Sequence, residues 1–356
     1  MKKVLFFIQG EGRGHKTQAI SFYEILKSTG EYSVEAVFVG VSKTRPNVEL
    51  LGESLTCPIN TFISPHLANI NNKEVDNFKT ALNAVLDIPR YISSFFQIGE
   101  AISEYKPDLI VNFYDPLFGI YNFTMNCNCR VIHVGHQFMF LNPEYVKSQE
   151  YGLVRRAAEL YTRLISTDGD RLALSFYKAD DIREKNVLVV PPLIREEVTS
   201  LVPSNEGFIL VYLVNNGYRN EIIEQRKLIN REVHCFCEKY WPENLDTHVE
   251  GNVTFHSLNG KKFLSYMRRC FGVICTAGFE TVSEAAYLGK RLVLVPVENH
   301  FEQELNALDA VKCGIGSFSK TFNLTLFDKI RPPENSLFKS WADSCRREIK
   351  SMLYVK

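Results

Sequence analysis

The sequence predicts an α/β protein: two Rossmann-like halves, each a parallel sheet covered by helices. Three observations predict it. Short apolar runs alternate with stretches of helical period along most of the 356 residues. The first apolar run leads straight into a glycine-rich turn, Gly10-Glu11-Gly12-Arg13-Gly14-His15. The alternation stops at a polar, proline-containing stretch, 196–207, and then starts again.

Taken in order, residues 4–9 read as a buried parallel strand. Met1-Lys2-Lys3 has the charge of a signal n-region, but the apolar run behind it is short and leads into glycines, not a cleavage site. Residues 17–28 read as a helix carrying Ile20, Tyr23, Ile25 and Leu26, with Gly30 as its stop. Strands are expected at 34–39, 109–113, 130–134, 163–166 and 187–190, with helices between several of them. Within 81–101, Leu82, Val85, Ile88, Tyr91, Ile92, Phe95, Phe96 and Ile98 fall largely at helical spacing. Core packing is the default reading; an apolar acceptor groove or a membrane-surface contact is the alternative. Beyond 207, strands are expected at 208–214, 253–255, 271–275 and 291–295. Helices are expected within 221–238 and over 279–288, 301–311 and 335–353. The predicted domains are 1–200 and 201–356, with the terminal helix packing back on the first. Such sheets bind ligands beyond the carboxyl ends of their strands, and two domains place those ends around a cleft.

Composition narrows the function. Lys plus Arg and Asp plus Glu both number 41, so the balance gives no support to wholesale nucleic-acid binding. No apolar run approaches the ~18 residues of a membrane span. The nine cysteines are odd in number and scattered, with Cys127/Cys129 and Cys235/Cys237 as CxC pairs. Reduced thiols in a cytosolic protein are expected.

Two segments carry chemistry. In the first, Gly12, Arg13 and Gly14 lead into a helix whose free N–H groups suit an anion. A dinucleotide site is disfavoured by the GxGxG spacing and by Phe38-Val39-Gly40, where no carboxylate stands to hold a ribose. His15, at the first helical turn, can act as a general base near neutral pH, or simply cap or decorate the turn. In the second segment a strand ends at Cys275, and the small turn Thr276-Ala277-Gly278 opens a helix at Phe279. That helix start suits a pyrophosphate without a metal. Glu284, just under two turns in, can accept both hydroxyls of a ribose, and Glu280 shares its face at i,i+4. Asn299, Gln303 and Asn306 follow the next strand as amides suited to neutral sugar hydroxyls.

The run from Thr276 to Ala307 resembles the nucleotide-sugar motif of GT-B glycosyltransferases, in the branch of the peptidoglycan N-acetylglucosaminyltransferase and the UDP-glycosyltransferases. The Gly10–His15 run is similar to that branch's glycine-rich loop, and the nearest likeness is to uncharacterised prokaryotic glycosyltransferase-like proteins. The resemblance implies a GT-B fold, two Rossmann-like parallel-sheet domains facing across a cleft. It implies that Glu284 holds the ribose, Gln303 and Asn306 meet the donor sugar, Thr276 to Gly278 lie under the diphosphate, and His15 stands near the acceptor. Two departures are visible. Glu280 stands where relatives often have an uncharged residue, and Asn215-Asn216-Gly217 where many have a Gly/Ser-rich loop.

Smaller candidates lie on the same expected edge. Asp115 either assists His15 or caps the helix beginning at Pro116. His133 reads as sheet packing, while His136 and Gln137 fall past a strand end as acceptor-side candidates. Thr167-Asp168-Gly169-Asp170 has the letters of a DxD metal motif without its context, and no metal-ligand spacing appears. Arg155, Arg156 and Arg163 read as a solvated face or a basic patch.

The expectation is an inverting, metal-independent, cytoplasmic glycosyltransferase. It needs no cofactor beyond its co-substrate, and moves a hexose or N-acetylhexosamine from a nucleotide-diphosphate sugar, UDP-linked by resemblance, to a glycan or lipid-linked acceptor, with contact at the inner membrane face as a further expectation. The alternatives are a UDP-sugar 2-epimerase of the same architecture and a binding subunit without turnover.

Overall fold

Val4 to Ile8 are fully buried in strand β1 (Lys2–Gln9), as a run that is apolar at every position requires when a sheet is covered on both faces. In this computed structural model the described residues are all except 43–47, 67–68, 71–73, 76, 144, 146–151, 214–215 and 355–356, with the side chains at 69–70, 74–75, 77–79 and 81 also outside the description. The chain folds as two compact units.

The first unit holds residues 1–68, 76–195 and 343–356. Its strands after β1 are β2 (Tyr32–Val41), β3 (Ile59–Ile63), β4 (Leu109–Phe113), β5 (Arg130–Gly135), β6 (Asp170–Leu174) and β7 (Val187–Val190). They form one parallel sheet in the order β3-β2-β1-β4-β5-β6-β7. The order reverses between β1 and β4, which opens a crevice at their carboxyl ends. Helix α1 (Gly14–Thr29) leaves β1 through the glycine turn and stops at Gly30, where φ of 70° suits a residue without Cβ. Helices α2 (Ile88–Tyr105), α3 (Pro116–Met125) and α4 (Gly152–Leu164) are among the unit's other helices. Phe7 is the centre of one core, its ring stacked 4.4 Å from Phe118 and 5.2 Å from Phe38.

The second unit holds residues 69–75 and 196–342. Its strands are β8 (Ile209–Tyr212), β9 (Val233–Cys237), β10 (Thr247–Glu250), β11 (Val253–Ser257), β12 (Gly272–Cys275), β13 (Arg291–Leu294) and β14 (Ser317–Phe318). The order is β10-β11-β9-β8-β12-β13-β14, parallel except for β10 against β11. Here the reversal falls between β8 and β12. Its longer helices are α5 (Gly260–Arg269), α6 (Phe279–Tyr287) and α7 (Phe301–Lys312). Lys290 is buried, and its ammonium donates to the carbonyls of Ser204 (2.7 Å), Arg268 (2.7 Å) and Cys270 (3.0 Å), closing the carboxyl end of α5.

Several expectations are corrected. Residues 163–166 end helix α4 and form no strand; the strand starts at Asp170, after a turn in which Asp168 is left-handed at φ 57°. Within 221–238 the helix stops at Gln225, and Val233, Cys235 and Cys237 alternate into the core as β9. The expected terminal helix breaks into Ser336–Asp343 and α8 (Cys345–Tyr354). The first unit runs to Arg195 and regains the chain at Asp343, which the division at residue 200 does not include. Arg130 fixes α8 there, donating to the carbonyls of Met352 (3.1 Å) and Leu353 (3.3 Å). The apolar stretch 81–101 is only partly core. Ile98 is buried, but Ile92 and Phe96 are 53% and 65% exposed, because α2 buries a narrow stripe of Ser94, Ile98 and Ala101.

Candidate active site

In the first unit, the carboxyl ends of β1 and β4 bring together His15, Tyr114, Gln18 and Gln137. His15 Nδ1 lies 3.2 Å from Gln18 Oε1, and its Nε2 lies 3.5 Å from Gln137 Nε2. A glutamine oxygen can only accept, so the network assigns the proton to Nδ1 and the lone pair to Nε2. The ring stacks on Tyr114, centroids 5.9 Å apart and planes 14° apart. Tyr114 has φ of 58°, costly for a bulky residue by about 1–3 kcal/mol. Its hydroxyl pairs with Thr162 Oγ1 at 2.7 Å. Gly12 is left-handed at φ 71°, which lets the turn reach α1. Arg13 stands at the N-cap of α1 without a side-chain cap bond, and Gly14 is its first residue. Lys16, in that first turn, is buried, and burial followed by the nearby Arg13 charge lowers its pKa to about 8.

Sequence reading missed Tyr114 and Lys16. Nothing local marks Tyr114, which occupies a conformation usually left to glycine or asparagine. Lys16 was detectable: it shares the inner face of α1 with Ala19 and Ile20, at i,i+3 and i,i+4.

Two acceptor-side expectations change. Asp115 caps α3: its Oδ1 accepts the Phe118 N–H at 2.9 Å, its backbone N–H donates to Asn112 Oδ1, and His15 is not among its hydrogen-bond partners. Oδ2 packs against Gly40 and Ser64, where the Ser64 hydroxyl favours the charged form but stands outside hydrogen-bonding geometry. Burial raises the Asp115 pKa to about 6, with the N–H groups of Phe118 and Leu117 and the Ser64 hydroxyl offsetting part of the rise. A carboxyl raised from its usual value favours the fold below pH ~4 and loses that contribution as pH rises through ~6. Asp115→Asn keeps the cap and removes the buried charge. It is expected to raise stability at pH 7.5 by about 1–3 kcal/mol and to flatten the decline in Tm between pH ~4 and ~6; differential scanning calorimetry from acid pH up to pH ~7.5 checks both. His136 is the second change. It is buried, with Nδ1 2.6 Å from the Leu174 carbonyl and Nε2 3.0 Å from the Tyr145 hydroxyl, so both ring nitrogens serve the fold. His133, also buried, packs in the sheet beside Asn112, and burial lowers its pKa to about 3.

In the second unit, the carboxyl ends of β8 and β12 carry the other candidate residues. Gly278 is the N-cap of α6 and makes no side-chain cap bond. The space its Cβ would occupy is open. Thr276 Oγ1 is buried there without a partner among the described residues. Asn306 reaches across from α7, its Nδ2 donating to the Ala277 carbonyl at 3.0 Å, and its buried Oδ1 has no partner among the described residues. Gln303 Oε1 accepts the Val297 N–H at 2.9 Å, which folds the loop before α7, and His300 Nδ1 caps that helix. Burial lowers the His300 pKa, keeping this nitrogen an acceptor. His300 too escaped the sequence reading, although a polar residue directly before a helical run is the available signal. Glu284 is buried in the second turn of α6, and Glu280 lies half-buried in the first. Phe279 and Ala277 turn inward, so they can offer a ligand only backbone groups. Asn299 is exposed and left-handed at φ 60°. Asn216 Oδ1 is buried without a partner among the described residues, at the end of the segment after β8, and Asn215 lies outside them. The geometry thus gathers a glycine-capped helix N-terminus, three side-chain oxygens without partners among the described residues and a buried carboxylate beside one sheet reversal. Among the described residues, no group of three or more His, Cys, Asp and Glu could hold a metal ion. The Asp168–Asp170 pair is a helix-to-strand turn, with Asp170 bound to Arg130 at 2.9 Å.

Comparison with solved structures finds the same architecture. The glycotransferase of kitacinnamycin superposes with a TM-score of 0.61 at 16% identity, covering 98% of this chain and 95% of that one. MurG of Acinetobacter baumannii gives 0.57 at 12% identity, covering 99% of both chains. UGT2 of Phytolacca americana, solved with UDP-2fluoro-glucose and pterostilbene, gives 0.61 at 12% identity, covering 99% and 94%. A search of curated proteins finds no match. These likenesses establish the GT-B fold. The family model described as glycosyl transferase family 1 matches residues 2–329, almost the whole chain, and the chain therefore belongs to that family and is a glycosyltransferase.

Proposed function

We propose that the protein transfers a hexose or N-acetylhexosamine from UDP-sugar to an acceptor hydroxyl, with inversion and without a metal. The observation that carries this is the open N-terminus of α6 over Thr276–Gly278, with Glu284 buried one turn deeper. The first-turn N–H groups and the Thr276 hydroxyl receive the diphosphate, where a divalent ion would otherwise neutralise charge. Glu284 accepts the ribose hydroxyls. Gln303 Nε2 and Asn306 Oδ1, the ends not spent on backbone, face donor-sugar hydroxyls. His15 Nε2 takes the acceptor's proton, the acceptor oxygen bonds to the anomeric carbon, and the bond from that carbon to the phosphate oxygen breaks with its electron pair leaving on UDP. Gly12, Arg13, Gly14 and Gln137 form the acceptor side.

Glu280 favours a second reading. A carboxylate in the first turn of α6 competes with phosphate for the helix dipole, which suits a subunit that binds nucleotide sugar without turnover. UDP release that depends on an acceptor separates transfer from binding alone, and from epimerisation, which consumes donor without an acceptor. The donor reading is tested by calorimetric titration with UDP. Glu284→Ala is expected to weaken binding by about 1–3 kcal/mol through loss of charge-assisted hydrogen bonds; unchanged affinity refutes the placement.

No helix among the described residues is long and apolar enough to cross a membrane. We place the enzyme in the cytoplasm, touching the membrane through α4. That helix buries only Thr162 and turns Leu153 (82% exposed) and Leu160 (70%) to solvent, flanked by exposed Arg156 and Arg163. Apolar side chains bordered by arginines suit an anionic lipid surface, and hence a lipid-linked acceptor.

A further inference from the structure

A cavity of about 220 Å³ lies in the first unit between α2 and β3. β3 is the edge of its sheet. The even-numbered residues along it pair inward: the Val37 N–H donates to the Pro58 carbonyl, and the Ser64 N–H to the Val41 carbonyl. In a parallel ladder the intervening odd residues then point their peptide groups outward. Ile63 shows this, its N–H donating to Ser94 Oγ at 3.0 Å on α2. Thr61 therefore presents its backbone N–H and carbonyl to the same side.

α2 lines the opposite wall with Arg90, Ser93, Ser94 and Gln97, at i, i+3, i+4 and i+7. A helix face of that period normally packs apolar residues against a sheet. Here it is polar throughout, and a space remains between it and the strand. Arg90 gives one N–H to Asp87 Oδ1 at 2.7 Å, which fixes the guanidinium plane. Its other donors make no hydrogen bond among the described residues. Among the described residues no carboxylate lines the cavity, and the Asp87 carboxylate that pairs with Arg90 is buried. A wall holding a guanidinium with donors left over from that pair, two hydroxyls, an amide and an edge N–H suits an oxyanion.

The cavity stands at the carboxyl end of the sheet, beside Val41 and Ile63, the last residues of β2 and β3. β1, which leads to His15, lies two strands away, about 10 Å at ordinary strand spacing. Residues Ser64 and Pro65 bridge that interval, the Pro65 carbonyl accepting from Gln9 Nε2 at 3.0 Å.

We propose that this cavity is an acceptor subsite for an oxyanion, a carboxylate or a phosphate, carried more than ~10 Å from the hydroxyl that is glycosylated. The acceptor is then an acidic molecule more than one sugar ring long. The inference rests on His15 marking the acceptor side.

The test uses the whole protein with fragments that carry the oxyanion alone: inorganic phosphate, glucose 6-phosphate and glucuronate, with glucose as the neutral control. Each is titrated by NMR chemical-shift mapping of amides around Thr61, Ile63 and Gln97. Saturable shifts are expected with at least one oxyanion probe and none with glucose; phosphate against carboxylate tells which source the site takes. Ser93→Glu puts a carboxylate in the cavity from an exposed helix position and keeps the Arg90–Asp87 pair. It is expected to weaken oxyanion binding at least 10-fold and to leave UDP affinity unchanged. Arg90→Gln should weaken it similarly. Absence of shifts with every oxyanion, or equal shifts in Ser93→Glu, overturns the subsite. UDP titration is read separately, so failure of the donor site and failure of this subsite are distinguishable.

Discussion

His15→Ala is expected to lower turnover about 10²–10⁴-fold, the usual contribution of a positioned general base. UDP affinity should stay close to that of the native protein, because His15 belongs to the first unit and the α6 N-terminus to the second. The effect is large because Nε2 is the only ring nitrogen left with a lone pair once Nδ1 is committed to Gln18. Gln18→Leu provides a graded companion. It removes the acceptor that fixes the tautomer and should lower kcat less than His15→Ala does. UDP release measured over a panel of sugar donors and acceptors reads both variants. Equal rates in His15→Ala and the native protein would remove the residue from the mechanism.

Lys290→Met is expected to destabilise the second unit by about 3–5 kcal/mol. The native ammonium satisfies three carbonyls at once, those of Ser204, Arg268 and Cys270. Each orphaned buried acceptor costs about 1–3 kcal/mol, and water entering the site recovers part of that. Burial lowers the lysine's pKa, a sign that its desolvation is substantial and is offset by these bonds. Methionine matches the stem's volume, so lost packing contributes little. Urea unfolding should show the reduced midpoint with little change in slope. A midpoint shift under 1 kcal/mol equivalent would mean that the carbonyls find other partners.

Much of the fold was legible because burial leaves a plain signal. A strand covered on both faces must be apolar at every position, and residues 4–8, 109–111 and 273–275 are. Punctuation was legible at Gly30 and at Pro116. Where the reading failed, two codes overlapped. Residues 163–166 are short and partly apolar, so they pass for a strand, but helix α4 ends among them at Leu164 and a turn leads on to a left-handed Asp168. Val233–Cys237 was hidden because Cys and His carry weak propensity either way, while the turn at Asn230-Arg231 lacks glycine or proline. The residues proposed to hold the donor stand out as a set in the sequence, since a strand end, a small-residue turn and a helix start follow one another directly. The acceptor side was not. It assembles from segments about 100 residues apart, and its orienting partners, Gln18 and Gln137, are ordinary amides that no spacing rule selects. Asp115 offered a more familiar partner for a histidine, and the structure spends it on a helix cap.

Helix α8 carries a consequence for biosynthesis. The first unit is interrupted: its sheet is encoded before residue 196, yet Arg130 and Tyr32 find their carbonyl partners at Met352 and Leu353. During translation the amino-terminal sheet therefore emerges early but stays unfinished until the ribosome has passed through the second unit. The half that is made first is the half that matures last.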